Sequence, residues 1–305
     1  MVELSKKQFN IVGCQNVDAD KILRPNLTFW QDAWRRLKKN KVAMISLYLL
    51  IIISIMCVVG PYICGLDYTE QHKGMSDLAP NAKFWFGTDQ LGRDLFSRLW
   101  MGGRISIIIG IIGTVILVVV GCLYGGIAGY AGGLTDEIMM RIIEVLSSIP
   151  EMIVIILISV VLGKGMIPLI IALTITGWVG LARMIRGQIM QLRESEYVLA
   201  AQALGADSGR IITRHLLPNT IGIIIIYSAM TVPGFIFDEA FLSFLGLGIQ
   251  PPMTSWGQLI SYGQQSFEFY PHELLFPAAV MSLFMLTFNL FGDGLRDAFD
   301  PKMRQ

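Results

Sequence analysis

Three histidines, four cysteines and a few carboxylates set in apolar surroundings are the side chains of this sequence equipped for chemistry. His72, His215 and His272 lie far apart, and Cys14, Cys57, Cys64 and Cys122 show no metal-ligand or Cys-x-x-Cys spacing. Neither a metal centre nor a redox couple is indicated. Two of the cysteines fall inside apolar runs, where a thiol packs as a small apolar side chain. No Gly-x-x-x-x-Gly-Lys-Ser/Thr occurs, so the phosphate-binding loop of nucleotide hydrolases is missing. A nucleophile–base pair is missing as well, and the sequence contains no catalytic set. What remains is non-covalent work by carboxylates. Glu151 follows Pro150 within an apolar run, and Asp238 and Glu239 stand at the end of another. An ionisable group in such a run is costly and faces a hydrated interior or an interface. Two readings of Glu151 stay open: it lines a hydrated path, or it is solvated near the inner interface. An outer interfacial location accounts for Asp238 and Glu239 together.

The elements that must position these groups are membrane spans. Hydrophobic residues make up 53% of the 305 and charged residues 15%, against about 25% charged in soluble domains. Apolar runs near the roughly 20 residues needed to cross a bilayer recur along the chain. This pattern predicts an all-α polytopic membrane protein with six transmembrane helices. The first span is Val42 to Ile63, the second about Ile105 to Gly129, and the third begins near Arg141 and continues to Leu162. The fourth ends near Arg183, the fifth runs from Thr220 to about Phe237, and the sixth lies between Leu274 and Phe291. Lys and Arg cluster in the N-terminal segment and in the loop holding Arg186, Arg193, Arg210 and Arg214, whereas 248–272 contains neither. The bias places both termini in the cytoplasm of a cell-membrane protein. The resulting division is a cytoplasmic segment 1–41, a first span 42–63, an extracytoplasmic loop 64–104, a transport domain 105–294 and a cytoplasmic tail 295–305.

Local signals fill in this frame. The chain before Pro25 reads as loosely ordered. Thr28 and Gln31 form a capping box for a short helix carrying Trp30, Trp34 and Leu37, rimmed by Arg35, Arg36, Lys38, Lys39 and Lys41. Its place just before a span indicates a helix in the lipid headgroups rather than a nucleic-acid site. Asp89 is placed to cap an interfacial helix carrying Leu91, Leu95 and Leu99. Arg141 and Glu144 are spaced as a helix-surface ion pair. Gly110, Gly113, Gly121, Gly125 and Gly126 suit close helix packing in lipid, and Pro233-Gly234 can kink the fifth span.

A polar interruption, 193–219, lies between the fourth and fifth spans. Glu196 to Leu204 is rich in helix formers, with Ala200, Ala201 and Ala203 close together. Gly205 can end that helix in a left-handed conformation. Asp207 and Ser208 can cap a second helix through Ile211, Ile212 and Leu216 that stops before Pro218. Such a pair is either a docking elbow for another protein or an amphipathic connector lying on headgroups.

The same stretch resembles the cytoplasmic EAA loop of ABC-importer permeases: Glu-Ala-Ala, three residues, Gly, nine residues, Ile, one residue, Leu-Pro. Ala200, Ala201, Gly205, Leu217 and Pro218 fall in register, while Leu199 replaces the glutamate and His215 the isoleucine. Glu196 lies three residues before Leu199, on roughly the same helical face. The resemblance implies an ATPase-docking surface made by Glu196, Leu199, Ala200, Ala201, Gly205, Ala206, His215, Leu217 and Pro218. Other segments are similar to one subfamily, the oligopeptide, dipeptide and nickel permeases. They are Phe86 to Ser106, Leu242 to Gly248, Pro251-Pro252, Ser255-Trp256-Gly257, Gly292 to Asp297 and Asp300-Pro301. The basic N-terminal helix and long first outer loop resemble its C-type partner.

That resemblance implies the type I ABC-importer permease fold and one half of a heterodimeric pore importing peptides by alternating access. The expected partners are a second homologous permease subunit, one or two ATPase subunits holding ATP and Mg, an extracytoplasmic substrate-binding protein and membrane lipid. No cofactor is expected in the chain itself. The match also marks Glu239 as a lining or gate residue beside Glu151. Nickel, glutathione or another small solute are alternative cargoes. A gradient-driven secondary transporter is a further alternative, against which stands the lack of an internal repeat.

Overall fold

The computed structural model describes residues 28–299; the stretch up to Pro25, Asp300-Pro301 and the last residues of the tail lie outside the described residues. Helix α1, Phe29–Lys39, opens on the expected capping box. The Thr28 hydroxyl accepts from the Gln31 amide at 3.4 Å, and the Gln31 side chain accepts from the Thr28 amide at 3.1 Å. Ala33 and Leu37 are buried while Trp30 and Trp34 stay exposed. Asn40 then caps α2, Lys41–Ile63, by accepting from the Ala43 amide. Residues 64–94 form a strap between α2 and the next helix, in which Asp67 accepts from the amide and hydroxyl of Thr69. Those two donors hold its carboxyl below the usual carboxylate range.

Helix α3, Leu95–Ala131, is 37 residues long. The interfacial helix and the second span expected as separate elements are thus one helix. Gly102 and Gly103 do not interrupt it, because their missing side chains admit Ser255 and Trp256. The cap is Asp94, which accepts from the Ser97 amide at 2.8 Å, not Asp89. The Asp89 carboxylate instead takes the Leu91 and Arg93 amides and pairs with Arg93 and Arg98. An Asp can satisfy either a helix end or a turn, and the arginines downstream decide it here.

The third span is also corrected. The chain forms α4, Gly133–Ser147, and α5, Glu151–Leu162, bent by 79° between them. Pro150 drives the bend by disfavouring the helical conformation at Ile149 and offering no N–H to continue the ladder. Helix α6, Met166–Leu192, extends well past Arg183. After the 193–219 loop come α10, Ile221–Phe244, then α11, Trp256–Gln265, and α12, Pro271–Phe299. Helix α11 lies where a loop was expected. Among the described residues five helices, α2, α3, α6, α10 and α12, are long and apolar enough to cross a membrane, and the bent α4–α5 pair makes a sixth span if counted as one.

Helix α3 is the spine. Gly121, Gly125 and Gly129 repeat every fourth residue and bring its backbone onto α6: a Cβ on Gly125 would stand 2.3 Å from the Ala182 carbonyl oxygen, and one on Gly129 2.7 Å from that of Arg186. Gly110 and Gly113 admit Val232, Ile236 and Phe235 of α10 in the same way. Small residues are what allow such approach in lipid, where dispersion contacts replace the hydrophobic drive. Arg141 and Glu144 pair on the exposed face of α4 at 2.8 Å.

Candidate functional site

The polar loop folds as two short helices around a glycine. Helix α7, Glu196–Ala203, ends in a Schellman turn. The Gly205 amide donates to Gln202 O at 2.9 Å, and the Ala206 amide to Ala201 O at 3.0 Å. Gly205 has φ +78°, a backbone that side chains resist even though open space surrounds its Cα. Asp207 caps α8, Ser208–Ile211, accepting from the Arg210 amide at 3.2 Å. Beyond α8 the expectation fails: the helix does not stop before Pro218. A π turn over Ile212–Leu216 leads into α9, Leu217–Asn219. The wide turn, closed by the Leu217 amide on Ile212 O, accommodates a proline ring that would otherwise clash with the carbonyl four residues back.

Burial divides this elbow into a root and a face. Val198, Ile211 and Leu216 are fully buried and root it in the main apolar core, where Ala201, Ala206 and Leu217 also pack. The Tyr197 hydroxyl accepts from the Asn219 side chain at 3.3 Å, tying α7 to α9. Glu196, Ala200, Gly205 and Pro218 face outward, and His215 is half-buried. Leu199 is 52% exposed and Leu204 89%. Leu204 was missed as a surface residue, since as the C-cap of α7 it reads in sequence as part of the helix's apolar run. An open groove of about 850 Å³ runs behind this face, lined by Tyr130, Arg193, Glu194, Leu199, Gln202 and Ile212 among others.

The two carboxylates singled out in sequence are placed differently. Glu151 is not inside a continuous span; it is the first residue of α5, just past the bend, and it is exposed. Asp238, toward the end of α10, is half-buried. Glu239 does not line an open surface, and it is not at an interface. It is fully buried, accepting from Ser106 of α3 at 2.9 Å, from Ser243 at 2.8 Å and from Ser255 at 2.6 Å. The Ser106 hydroxyl in turn accepts from the Trp256 amide, and Ser255 from the Gln258 amide that it caps. Trp256 adds a bond from its indole N–H to Leu99 O at 3.0 Å. Adjacent in sequence, Asp238 and Glu239 therefore part: Asp238 stays half-buried, while Glu239 knots α3, α10 and α11 together.

Comparison with known proteins follows the same chain segments. The family described as binding-protein-dependent transport system inner membrane component matches residues 121–305. The N-terminal TM domain of oligopeptide transport permease C matches residues 28–80. The dipeptide transport system permease protein DppC of Bacillus subtilis is 50% identical over 292 residues, covering 95% of this chain and 91% of its own length. The oligopeptide transport system permease protein OppC of the same organism is 45% identical over 305 residues, the whole of both chains. The OppC of Escherichia coli K12 is 41% identical over 279 residues, 91% of this chain and 92% of its own. Among solved structures, the inward-facing MetNI methionine ABC transporter superposes with a TM-score of 0.53 at 19% identity, covering 67% of this chain and 96% of that one. At that identity the likeness bears on fold alone.

Proposed function

The chain belongs to the family of binding-protein-dependent transport system inner membrane components, and on that premise we propose that it forms one half of the membrane pore of an ATP-driven importer of oligopeptides or dipeptides. It is a permease subunit and not the hydrolysing subunit. Whole-length identity of 45% to an oligopeptide permease is the observation that supports the peptide cargo; a gradient-driven mechanism has no support of that kind. ATP and Mg reside on one or two separate ATPase subunits, a second permease completes the pore, and an extracytoplasmic binding protein delivers the substrate.

The rooted elbow gives the ATPase its dock. Buried Val198, Ile211 and Leu216 fix the position of α7, so a push on Leu199 and Leu204 is transmitted into the bundle rather than absorbed by a loose loop. Glutamate is replaced by Leu199 in the docking pattern, and the dock here relies on apolar contact, with Glu196 on the same helix supplying charge. Glu151 and Asp238 are the polar groups of the path. Docking drives alternating access only where its contacts differ between the inward and outward states. The test is affinity purification of the tagged chain from its native membrane. An ATPase, a second permease and a peptide-loaded binding protein should accompany it, and purification with none of them contradicts the reading.

A further inference from the structure

Helix α4 is attached to the bundle by one small apolar cluster, Ile143 with Met140 and Leu146 against Val179 and Ala182 of α6, and by a set of polar bonds. Of its fifteen residues only Asp136 and Ile143 are buried. Leu134, Ile138, Ile142 and Val145 all present open apolar faces. Both of its ends are joints. It begins at Gly132 and Gly133, with φ +65° and +53°, and it ends at the 79° bend before Pro150. Between those joints three polar side chains fix its orientation beside that cluster. The Asp136 carboxylate takes a two-pronged ion pair from Arg186 of α6. Arg183, one turn earlier on α6, donates to the Ser147 hydroxyl at 2.7 Å. The Tyr124 hydroxyl of α3 donates to Met139 O at 2.9 Å. Arg193, the C-cap of α6, stands beside the same glycine joint, its guanidinium 2.7 Å from where a Cβ on Gly132 would be.

Helix α6 is the element that runs straight into the docking helix, with Arg193 at its end and Glu196 three residues on. Its backbone is locked to α3 by the glycine stripe, so α3 and α6 move as one body. Helix α4 has no such lock. We propose that Asp136 and Arg186 are positioning residues for transport: their ion pair makes α4 follow the coupling loop, and α4 carries the movement through the Pro150 bend to Glu151 at the head of α5. A bidentate guanidinium–carboxylate pair suits a strut, because it fixes orientation as well as distance. This inference rests on the proposed docking of an ATPase at α7.

The experiment is the complete importer reconstituted in vesicles, with ATP hydrolysis and peptide uptake measured together. Asp136→Asn should leave ATPase co-purification and substrate-stimulated hydrolysis at the wild-type level. Uptake should fall at least about tenfold, as expected for losing a charge-assisted pair, so more ATP is spent per peptide. Arg186→Lys, which keeps the charge but loses the fork, should fall between. The exchange Asp136→Arg with Arg186→Asp should recover most of the lost uptake. Uptake and hydrolysis that stay unchanged, or that decline in parallel, overturn the proposal, as does an exchange no better than either single change. If the wild-type chain brings down no ATPase, the docking reading itself is what fails.

Discussion

Arg104 of α3 donates its Nε–H to the carbonyl of Cys57 at 3.1 Å, the oxygen that Pro61, four residues on in α2, leaves without its helical partner. A second guanidinium nitrogen reaches Val58 O at 2.9 Å, and the group lies 5.7 Å from the Tyr62 ring centroid. A cation close to an apolar span is thereby explained as the substitute donor for a proline-broken ladder.

Arg104→Met should destabilise the permease by about 1–3 kcal/mol, the cost of stranding the Cys57 carbonyl. In a Pro61→Ala background, where the helical N–H is restored, the same change should cost markedly less. Thermal unfolding of the four variants in detergent measures the coupling. Additivity within about 0.5 kcal/mol would show that proline and arginine are not partners.

Glu239 predicts a different hierarchy. Glu239→Gln keeps an oxygen for Ser243 and Ser255, and Ser106 can turn to accept from the new amide. Glu239→Leu strands three buried hydroxyls. The leucine variant should lose at least about 3 kcal/mol and assemble poorly, while glutamine stays near wild type. Yield and melting temperature decide it, and equal behaviour of the two would dissolve the knot.

Labelling of single cysteines tests orientation. Positions near Lys73 and Gln258 should react from outside intact cells, and Ser195 only after permeabilisation. Outside reactivity at Ser195 would invert the topology and remove the docking assignment with it.

Much of this fold was legible in residue patterns. Run lengths located the spans, Thr28 and Gln31 the first cap, and Gly205 the elbow, because each depends on residues within one turn of one another. Contacts between distant residues were not legible. Glu239 lies 133 residues from Ser106, and nothing local separates it from its half-buried neighbour Asp238. Helix α11 is short and half polar, so periodicity lost it among loop residues. Pro150 was read as lying inside one continuous span, and no local rule gives the 79° that turns a straight span into two legs.

Glu151→Gln should alter peptide uptake while leaving assembly and ATPase binding intact, since the side chain is exposed at the head of α5. Unchanged uptake kinetics in vesicles would remove Glu151 from the path; a loss of assembly would make it structural.

Docking at the glycine elbow is the central claim, and Leu204 reports on it most directly. A cysteine at Leu204, 89% exposed at the tip of α7, should crosslink to the ATPase subunit in the assembled importer. The yield should change between nucleotide-free and ATP-bound states. Adding Gly205→Val, which forces a β-branched residue into φ +78° at a strain of about 1–3 kcal/mol, should cut that crosslink and the stimulated hydrolysis roughly tenfold while the bundle still inserts. Full crosslinking and wild-type hydrolysis in Gly205→Val, or no crosslink from Leu204 in a complex that retains its ATPase, would contradict the account.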